Sequence, residues 1–368
     1  MSVVPGPNGE GVIFITCQTL TPDLIFTNGL NQNIIIFYRL FALMGYKPYL
    51  LVNGPMDSSK MPFALRWITL DKYIQKPFNV KVLLEIGMNM GKKVRALMHM
   101  MGARIVKLYL GNSLNIDTEM SLFGENSDIV IHSKGDIDMV LTSPHYAPQL
   151  EYLRVLNGLP SCAGAALVAP YVWDPMFIDG SLETGIVSAA KDILIIEPNI
   201  SFQKSCVVPL LICEKYYLEN PTFRGKVHVF NTDKYEEGDN FFKNILDNLT
   251  LWRDGRIELH GRFAITDILR KYSSSVMLCH QTSNEYNYMY LEAFYLGRPI
   301  VHNADSWKEA GCYYEGCSLE GGVAALGAAL DGGDGSGRKI IWDHSIYNPA
   351  VQEAWSRLLE EGSTTSDK

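Results

Sequence analysis

Apolar runs and amphipathic stretches alternate along the whole chain. In the first half, the helices run from about Leu30 to Met44, where Gly45 provides a left-handed cap, and from about Lys92 to Met101. The short apolar runs predict strands at residues 12–15, 49–52, 82–86, 105–110 and 128–131. Because strands alternate with helices, we predict a parallel sheet covered on both faces.

A second series of the same kind begins near Asp192. A helix is predicted from about Lys204 to Glu214. Strands are predicted at residues 193–196, 226–230, 257–259 and 276–279. The chain therefore predicts an α/β fold with two Rossmann-like, doubly wound domains. Ligands of such sheets bind at the carboxyl ends of the strands, so we expect those ends to face a central cleft.

Loop composition places the domain boundaries. The loop at 178–181 predicts an N-terminal domain of residues 1–180 and a second domain of residues 181–337, which ends in a glycine-rich linker at 331–337. Residues 338–361 contain a helix from Pro349 that we expect to pack back on the first domain. We expect a disordered tail at 362–368.

Composition is that of a folded globular protein. The chain has 368 residues, of which 47% are hydrophobic and 20% charged. Its net charge of −8 argues against broad attachment to nucleic acid or an anionic membrane, although a local basic groove stays compatible with it. Seven scattered cysteines without zinc-type spacing, no apolar run of about 20 residues and no signal-peptide pattern indicate a cytoplasmic protein without membrane insertion.

The most informative segment is 283–303, where a polar loop leads into a short helix that Gly297 ends. Glu285 and Glu292 are seven residues apart, about 700° of helical rotation, so they lie near one face if the helix extends that far. A carboxylate there can accept hydrogen bonds from ribose hydroxyls, while the helix N-terminus faces phosphates. On spacing alone, two solvated glutamates on an amphipathic helix explain the pattern equally well.

This segment resembles the sugar-donor signature of retaining glycosyltransferases of the GT-B fold. That signature combines an acidic residue in a loop, a Leu-Glu-Ala helix, a Gly-x-Pro turn and a buried strand. The resemblance implies that Glu292 binds ribose. Six residues separate Glu285 from Glu292, where the signature usually has seven, so Glu285 matches poorly and the stereochemical outcome is not implied.

The whole pattern is similar to a bacterial and viral family of unknown function, numbered 2827, assigned to the same fold. The resemblance covers residues 28–303 and implies a GT-B architecture with a sugar-donor domain second. It includes Asn287, Tyr288 and His302 among the donor-binding residues. Four places carry it, namely residues 28–33, residues 143–146 with 170–173, residues 197–199 with Lys204, and residues 287–303.

The segment 197–204 follows the first strand of the second domain. Similar transferases hold a basic residue and a lysine five places later at this position, which together neutralise a diphosphate. Here the spacing joins Asn199 to Lys204, so only the lysine supplies charge. Lys204 can bind phosphate near a helix N-terminus, and a solvated first-turn lysine is the alternative. Arg262, after another strand, is a second phosphate candidate.

The first domain offers acceptor and catalytic candidates. Its amide-rich segment opens the first long helix and can read sugar hydroxyls, although a structural turn and cap explains it almost as well. His145 in a strand-end turn is the candidate general base, with Glu85 and Asp23 as rivals and a purely structural histidine as the alternative. The acceptor-binding candidates are Asn28, Gly29, Gln32 and Asn33.

No metal or cofactor motif stands out. Asp136-Ile137-Asp138 resembles a metal motif, but its context favours a turn, so we expect a metal-independent protein without a cofactor. We therefore predict a hexosyl- or pentosyltransferase that uses a nucleotide-diphosphate sugar such as a UDP-sugar. Its acceptor is a carbohydrate, a protein-linked glycan or a modified DNA base. An epimerase or hydrolase of the same fold and a non-catalytic sugar-binding protein are the alternatives.

Overall fold

The computed structural model describes residues 11–57, 59, 61–124, 132–133, 135–162, 164–178, 180–182, 190–236, 240–333 and 337–360. Two compact units form. Unit 1 contains Met1–Asp174 and Asp343–Lys368, and unit 2 contains Pro175–Trp342. The predicted strand at 128–131 and the predicted tail at 362–368 lie outside the described residues.

Unit 1 contains a seven-stranded sheet in the order β3-β2-β1-β4-β5-β6-β7, and its neighbouring strands pair in parallel. The strand order reverses between β1 and β4, which is the switch point of a doubly wound fold. The strands are β1 (Val12–Cys17), β2 (Lys47–Val52), β3 (Trp67–Thr69), β4 (Val82–Glu85), β5 (Arg104–Tyr109), β6 (Met139–Thr142) and β7 (Ala166–Val168).

Unit 2 repeats this plan with six parallel strands in the order β10-β9-β8-β11-β12-β13. Its switch point lies between β8 and β11. The strands are β8 (Asp192–Ile195), β9 (Val227–Val229), β10 (Ile257–Leu259), β11 (Ser275–Leu278), β12 (Ile300–His302) and β13 (Cys312–Tyr313). The prediction of two parallel, doubly wound sheets is confirmed.

Helices connect the strands in both units. The helices are α1 (Pro22–Thr27), α2 (Gly29–Leu43), α3 (Leu70–Gln75), α4 (Lys92–Met100), α5 (Ser113–Phe123), α6 (Leu150–Leu156), α7 (Val207–Glu219), α8 (Asp233–Glu236), α9 (Asn240–Asp247), α10 (Thr250–Arg253), α11 (Ile265–Lys271), α12 (Tyr288–Leu296), α13 (Leu319–Leu330), α14 (Arg338–Asp343) and α15 (Pro349–Glu360). Among the described residues, none of these helices has the length and apolar character that a membrane crossing needs.

Four strands are absent from the predicted set. β3, β6, β7 and β13 contain two to four residues each. The predicted helix from Lys204 begins later, at Val207, so Lys204 lies in the turn before α7. The boundaries of the other predicted elements agree to within a few residues, because long apolar runs mark them.

The last helix of the chain packs within unit 1. The ring of Trp355 on α15 is fully buried and makes edge contacts with Phe37 and Phe41 of α2, at centroid distances of 4.9 and 5.8 Å. Its indole N–H donates to the carbonyl of Pro170 at 3.2 Å. Aromatic edge contacts of this kind add about 0.5–1.5 kcal/mol beyond the area they bury, so α15 is an integral part of this unit.

A close contact fixes the loop between β4 and α4 at the switch point of unit 1. A Cβ atom on Gly87 would lie 2.7 Å from Ile34 Cδ1 and 3.1 Å from the carbonyl oxygen of Thr16, so glycine is required there. The Thr16 hydroxyl donates to the Met88 carbonyl at 2.8 Å and accepts from the Ile86 N–H at 3.1 Å. This loop is therefore held against the end of β1.

Candidate functional site

Polar side chains converge on the switch point of unit 2. Glu197 follows β8, and His280 and Gln281 follow β11, the neighbouring strand. One carboxylate oxygen of Glu197 accepts a hydrogen bond from the His280 backbone N–H at 2.9 Å, and the other accepts from the Gln281 side-chain amide. Burial raises the pKa of Glu197 to about 8, although the His280 N–H and the nearby Lys204 oppose that rise.

The same network orders the loop that follows β11. The Gln281 side-chain oxygen accepts from the Asn284 amide at 2.6 Å. Asn303, after β12, exchanges two 2.9 Å hydrogen bonds with the backbone of Gln281. Gln203 donates to the Thr282 carbonyl at 3.0 Å. The loop is thus held from both sides by the loops that follow β8 and β12.

Lys204 lies beside this network. Burial lowers the pKa of its ammonium group, and the Glu197 carboxylate acts in the opposite direction. In the part of the chain that the structure describes, the ammonium group has no hydrogen-bond or ion-pair partner. The ammonium group is half-buried and donates no hydrogen bond within the described residues, so it is available to an anionic ligand.

Glu292 is a second ionisable group of unit 2 that makes no hydrogen bond with the described residues. Its side chain, on the second turn of α12, is only 6% exposed. No hydrogen bond or ion pair reaches it from the described residues, and burial raises its pKa to about 7. A buried carboxylate without hydrogen-bond donors is destabilising, and its two oxygens can accept hydrogen bonds from a ligand.

Glu285 does not share a helix face with Glu292. α12 begins at Tyr288, so the helix does not extend to Glu285, which lies in the preceding loop, and the condition for a common helix face is not met. The helix begins there because the Asn287 side chain caps it. One oxygen of Glu285 accepts hydrogen bonds from the Ser306 N–H, at 2.9 Å, and from the Ser306 hydroxyl. In this structure Glu285 holds the loop after β12.

Asn199 uses its side chain to hold backbone. Its own backbone is left-handed, with φ of 54°. Its amide group donates to the carbonyls of Phe230 and Asn231, both at 3.2 Å, and its oxygen accepts from the Cys206 N–H at 2.8 Å. Both amide hydrogens are engaged, so Asn199 orders the loop that carries Lys204 and has no free hydrogen for a ligand.

The side chains of two more predicted donor-binding residues also form hydrogen bonds with the backbone. The Asn287 oxygen accepts from the Met289 N–H at 3.1 Å and caps α12. His302 is fully buried, with Nε2 donating to the Ala310 carbonyl at 2.8 Å and Nδ1 accepting from the Ala304 N–H at 3.2 Å. Neither ring nitrogen of His302 is left for a ligand, so it orders the loop after β12.

The remaining predicted residues of unit 2 lie at two different places. Tyr288 is buried as the first residue of α12, and Arg262 is exposed in the loop after β10. Sequence reasoning missed the roles of Glu197 and Gln281. A glutamate directly after a continuous apolar strand was the only sign of the first, and nothing in the sequence pointed to the second.

In unit 1, Glu85 belongs to a buried ion cluster. It is 1% exposed, and the Arg95 guanidinium donates to both of its oxygens at 2.7 Å. Lys107 lies 3.9 Å from the same carboxylate, and burial lowers the pKa of this lysine to about 8. A general base must reach a substrate. Because the Glu85 carboxylate is enclosed with Arg95 and Lys107, its position suits a structural anion. The side chain of Asp23, on α1, lies outside the described residues.

His145 occupies the position expected for it. It lies on the 3-10 helix Pro144–Gln149, which follows the carboxyl end of β6. Its ring is 3.7 Å from that of Tyr146, centroid to centroid, and is partly exposed. The end of a parallel strand is where functional side chains of doubly wound sheets usually lie.

The acceptor candidates cluster at the start of α2. The Asn28 side chain caps this helix by accepting from the Leu30 N–H at 3.0 Å, and Asn33 donates to the Gly29 carbonyl at 2.8 Å. The Gln32 side chain is 7% exposed and has no hydrogen-bond partner among the described residues. Gln32 is therefore the member of this group best able to bind a ligand.

The chain matches one protein family along most of its length. The family described as "Protein of unknown function (DUF2827)" matches residues 13–359. Among curated proteins, none matches the chain in sequence at a significant level.

Solved structures resemble the chain far more in fold than in sequence. The apo form of the lipopolysaccharide outer core galactosyltransferase WaaB is 10% identical, over 95% of this chain and 99% of its own, with a TM-score of 0.55. An alpha-glucosyltransferase in complex with UDP-glucose and DNA containing an abasic site is 12% identical, over 95% and 94%, with a TM-score of 0.57. The α,α-trehalose 6-phosphate synthase from Burkholderia multivorans is 10% identical, over 95% and 94%, with a TM-score of 0.53. These likenesses show the GT-B fold of the glycosyltransferases.

Proposed function

The chain belongs to the DUF2827 family, and we propose that it is a glycosyltransferase that moves a sugar from a nucleotide-diphosphate sugar to an acceptor hydroxyl. One observation carries the proposal. Unit 2 contains a buried carboxylate, Glu292, and a half-buried ammonium group, Lys204, and neither makes a hydrogen bond with the described residues. A nucleoside diphosphate supplies the complement of each, hydroxyls for the carboxylate and phosphates for the cation.

The ribose is assigned to Glu292. An ionised carboxylate has two acceptor oxygens, so it can accept one hydrogen bond from each of the two ribose hydroxyls. Hydrogen bonds to a charged group contribute about 1.5–3 kcal/mol. The structurally similar alpha-glucosyltransferase is in complex with UDP-glucose. A UDP-hexose is therefore the first sugar donor that we propose for this chain.

The diphosphate is assigned to Lys204. Negative charge grows on the departing nucleoside diphosphate as the glycosidic bond breaks, and a fixed cation stabilises it more in the transition state than in the ground state. Lys204 suits this role because it is half-buried and its loop is held by Asn199. Arg262, which is exposed in the loop after β10, is a second candidate for binding the diphosphate.

The loop after β11 has a positioning role. Glu197 and Gln281 hold it through hydrogen bonds that need no ligand, so the approach to α12 is ordered before a sugar donor binds. Preorganised sites lose less conformational freedom on binding, which raises affinity.

The acceptor side is assigned to unit 1. His145 is the proposed general base for the acceptor hydroxyl, and Gln32 is a proposed contact to that substrate. The net charge of −8 favours a carbohydrate or protein-linked glycan over DNA as the acceptor, because phosphates of DNA would be repelled.

A two-part experiment tests the proposal. First, purified protein is titrated with UDP, other nucleoside diphosphates and UDP-hexoses, and thermal stability is followed. A ligand at about 100 times its Kd stabilises the folded state by about 2.7 kcal/mol, which is measurable as a rise in Tm. Second, release of nucleoside diphosphate is measured with glycan, glycoprotein and DNA acceptors.

The outcomes separate the alternatives. Release that requires an acceptor supports a glycosyltransferase. Turnover of the sugar donor without an acceptor indicates an epimerase or hydrolase, and binding without turnover indicates a sugar-binding protein. If no nucleoside diphosphate or nucleotide sugar stabilises the protein, the proposal is wrong.

A further inference from the structure

We propose that His228, Glu258 and His260 form a zinc site on the edge of the unit 2 sheet. His228 lies on β9 and is the register partner of Glu258 on β10. His260 follows Glu258 by two residues, and side chains alternate along a strand, so all three lie on the same face. β10 is the edge strand of the sheet, two strands away from the switch point where the nucleotide site is proposed.

The three ligand atoms have the spacing of a metal site. His228 Nδ1 lies 3.1 Å from His260 Nε2 and 3.2 Å from an oxygen of Glu258, and His260 Nε2 lies 3.9 Å from that oxygen. Tetrahedral zinc with bonds of about 2.0–2.1 Å places its ligands about 3.3 Å apart. The three ligand atoms can therefore surround a zinc ion if the distance between His260 Nε2 and the Glu258 oxygen shortens by about half an ångström.

A neighbouring group orients one of the ligands. The second ring nitrogen of His228 lies 3.9 Å from a carboxylate oxygen of Asp192, which is too far for a hydrogen bond, so Asp192 contributes only a nearby negative charge. Lys226 pairs with the other oxygen of Glu258, which leaves one oxygen directed at the histidines. Such partners fix the orientation of a metal ligand before the metal binds.

The surroundings leave one side open. The ring of Tyr272 lies 4.2 Å from that of His228, and Phe230 stacks on His260 at 4.7 Å, so aromatic rings form a wall on one side. His228 is buried, whereas Glu258 and His260 are partly exposed. A metal ion can enter from that exposed side and keep water as a fourth ligand.

The chemistry of the ligands selects the metal. Two imidazoles and one carboxylate match zinc, whereas magnesium and calcium prefer oxygen ligands alone. Without metal, the 3.1 Å contact between the two imidazoles is a hydrogen bond in which one nitrogen carries the proton. When zinc binds, that proton would move to the other nitrogen of the same imidazole, which leaves both facing nitrogens free to ligate the ion and connects β9 to the edge strand.

The test measures zinc itself on untagged protein. Exposed Cys162 and Cys317 offer competing thiolates, and Cys317 lies 3.7 Å from a ring nitrogen of His280, so both are first replaced by serine. This background is titrated with ZnCl2 by calorimetry, and Co²⁺ is used as a spectroscopic probe of tetrahedral geometry. We expect one Zn²⁺ per chain, a rise in Tm on zinc addition and visible Co²⁺ bands.

The variants His260→Gln and Glu258→Gln identify the ligands, and His99→Gln is the matched control, since His99 pairs with Asp138 in unit 1. Both ligand variants should lose the bound zinc and the zinc-dependent rise in Tm while keeping the metal-free Tm of the background. His99→Gln should retain both. The proposal is overturned if zinc does not bind saturably, if the ligand variants bind it unchanged, or if Mg²⁺ binds equally well. None of these readouts depends on nucleotide binding.

Discussion

The carboxylate of Glu197 accepts a hydrogen bond from the backbone N–H of His280 at 2.9 Å. This contact joins the ends of β8 and β11, the two strands between which the sheet order of unit 2 reverses. A carboxylate without any exposed surface thus holds the loop that leads to α12. The nucleotide site proposed for this unit is built on that fixed loop.

Replacing Glu292 should weaken nucleotide binding without unfolding the protein. Glu292→Gln removes the charge that accepts from ribose hydroxyls, and we expect affinity for UDP to fall about 10- to 100-fold, or about 1.5–3 kcal/mol. Calorimetry measures the change. Glu309→Gln, at an exposed position of the same unit, is the control and should bind UDP normally. Unchanged affinity in Glu292→Gln would remove this residue from the site.

The raised pKa of Glu292 also predicts a pH dependence of stability. Its pKa is about 7 in the folded state and near 4.5 in the unfolded state, so between these values the folded protein holds a proton that the unfolded chain has released. The free energy of unfolding contributed by this group therefore falls as pH rises from about 4.5 to about 7, by about 2–4 kcal/mol.

Comparison with Glu292→Gln isolates that effect, because other titrating groups contribute equally to both proteins. Urea unfolding at pH 5, 6, 7 and 8 should show the variant gaining stability relative to the wild type up to about pH 7 and remaining level above about pH 8. A difference that is constant across this range would contradict the assigned pKa.

Lys204 should act on phosphate and not on the nucleoside. Lys204→Ala should lower affinity for UDP about 10- to 100-fold, because a charge-assisted contact is lost, and should leave affinity for uridine within about twofold. Both are measured by calorimetry. Lys308→Ala, at an exposed lysine of the same unit, is the control. Equal losses for UDP and uridine would show that Lys204 acts through structure.

The buried ion cluster of unit 1 should matter for stability. Glu85→Gln leaves the buried cations of Arg95 and Lys107 without their anion, and we expect a loss of about 3–5 kcal/mol in urea unfolding. The comparison is Glu151→Gln, which breaks an exposed ion pair with Arg154 and should cost less than about 1 kcal/mol. Normal stability with abolished turnover in Glu85→Gln would instead support a catalytic role for this residue.

His145 should affect turnover and not sugar-donor binding. If it removes the proton of the acceptor hydroxyl, His145→Asn lowers kcat about 10²- to 10⁴-fold and leaves affinity for UDP unchanged. His99→Asn, in the same unit, is the control and should be fully active. A normally folded His145→Asn protein with full activity would exclude His145 as the base.

Much of the fold could be predicted because its signals are local. Apolar runs marked the longer strands, and Gly297 ends α12 in the left-handed conformation, with φ of 65°, as the Gly-Arg-Pro sequence indicated. Glu292 and Lys204 were candidates from their sequence context, and in the structure Glu292 is buried and Lys204 half-buried. Asn199 and His302 were identified with them, and only their hydrogen bonds show that they hold backbone.

The sequence by itself determined two parallel α/β units, since periodicity and turn residues act over a few neighbouring positions. Only the tertiary structure decided which polar groups meet. Glu197 and Gln281 are 84 residues apart in the chain, and His228 meets Glu258 through the register of β9 and β10. Strand order and register bring such residues together, and both result from packing across the whole sheet, which no local pattern encodes.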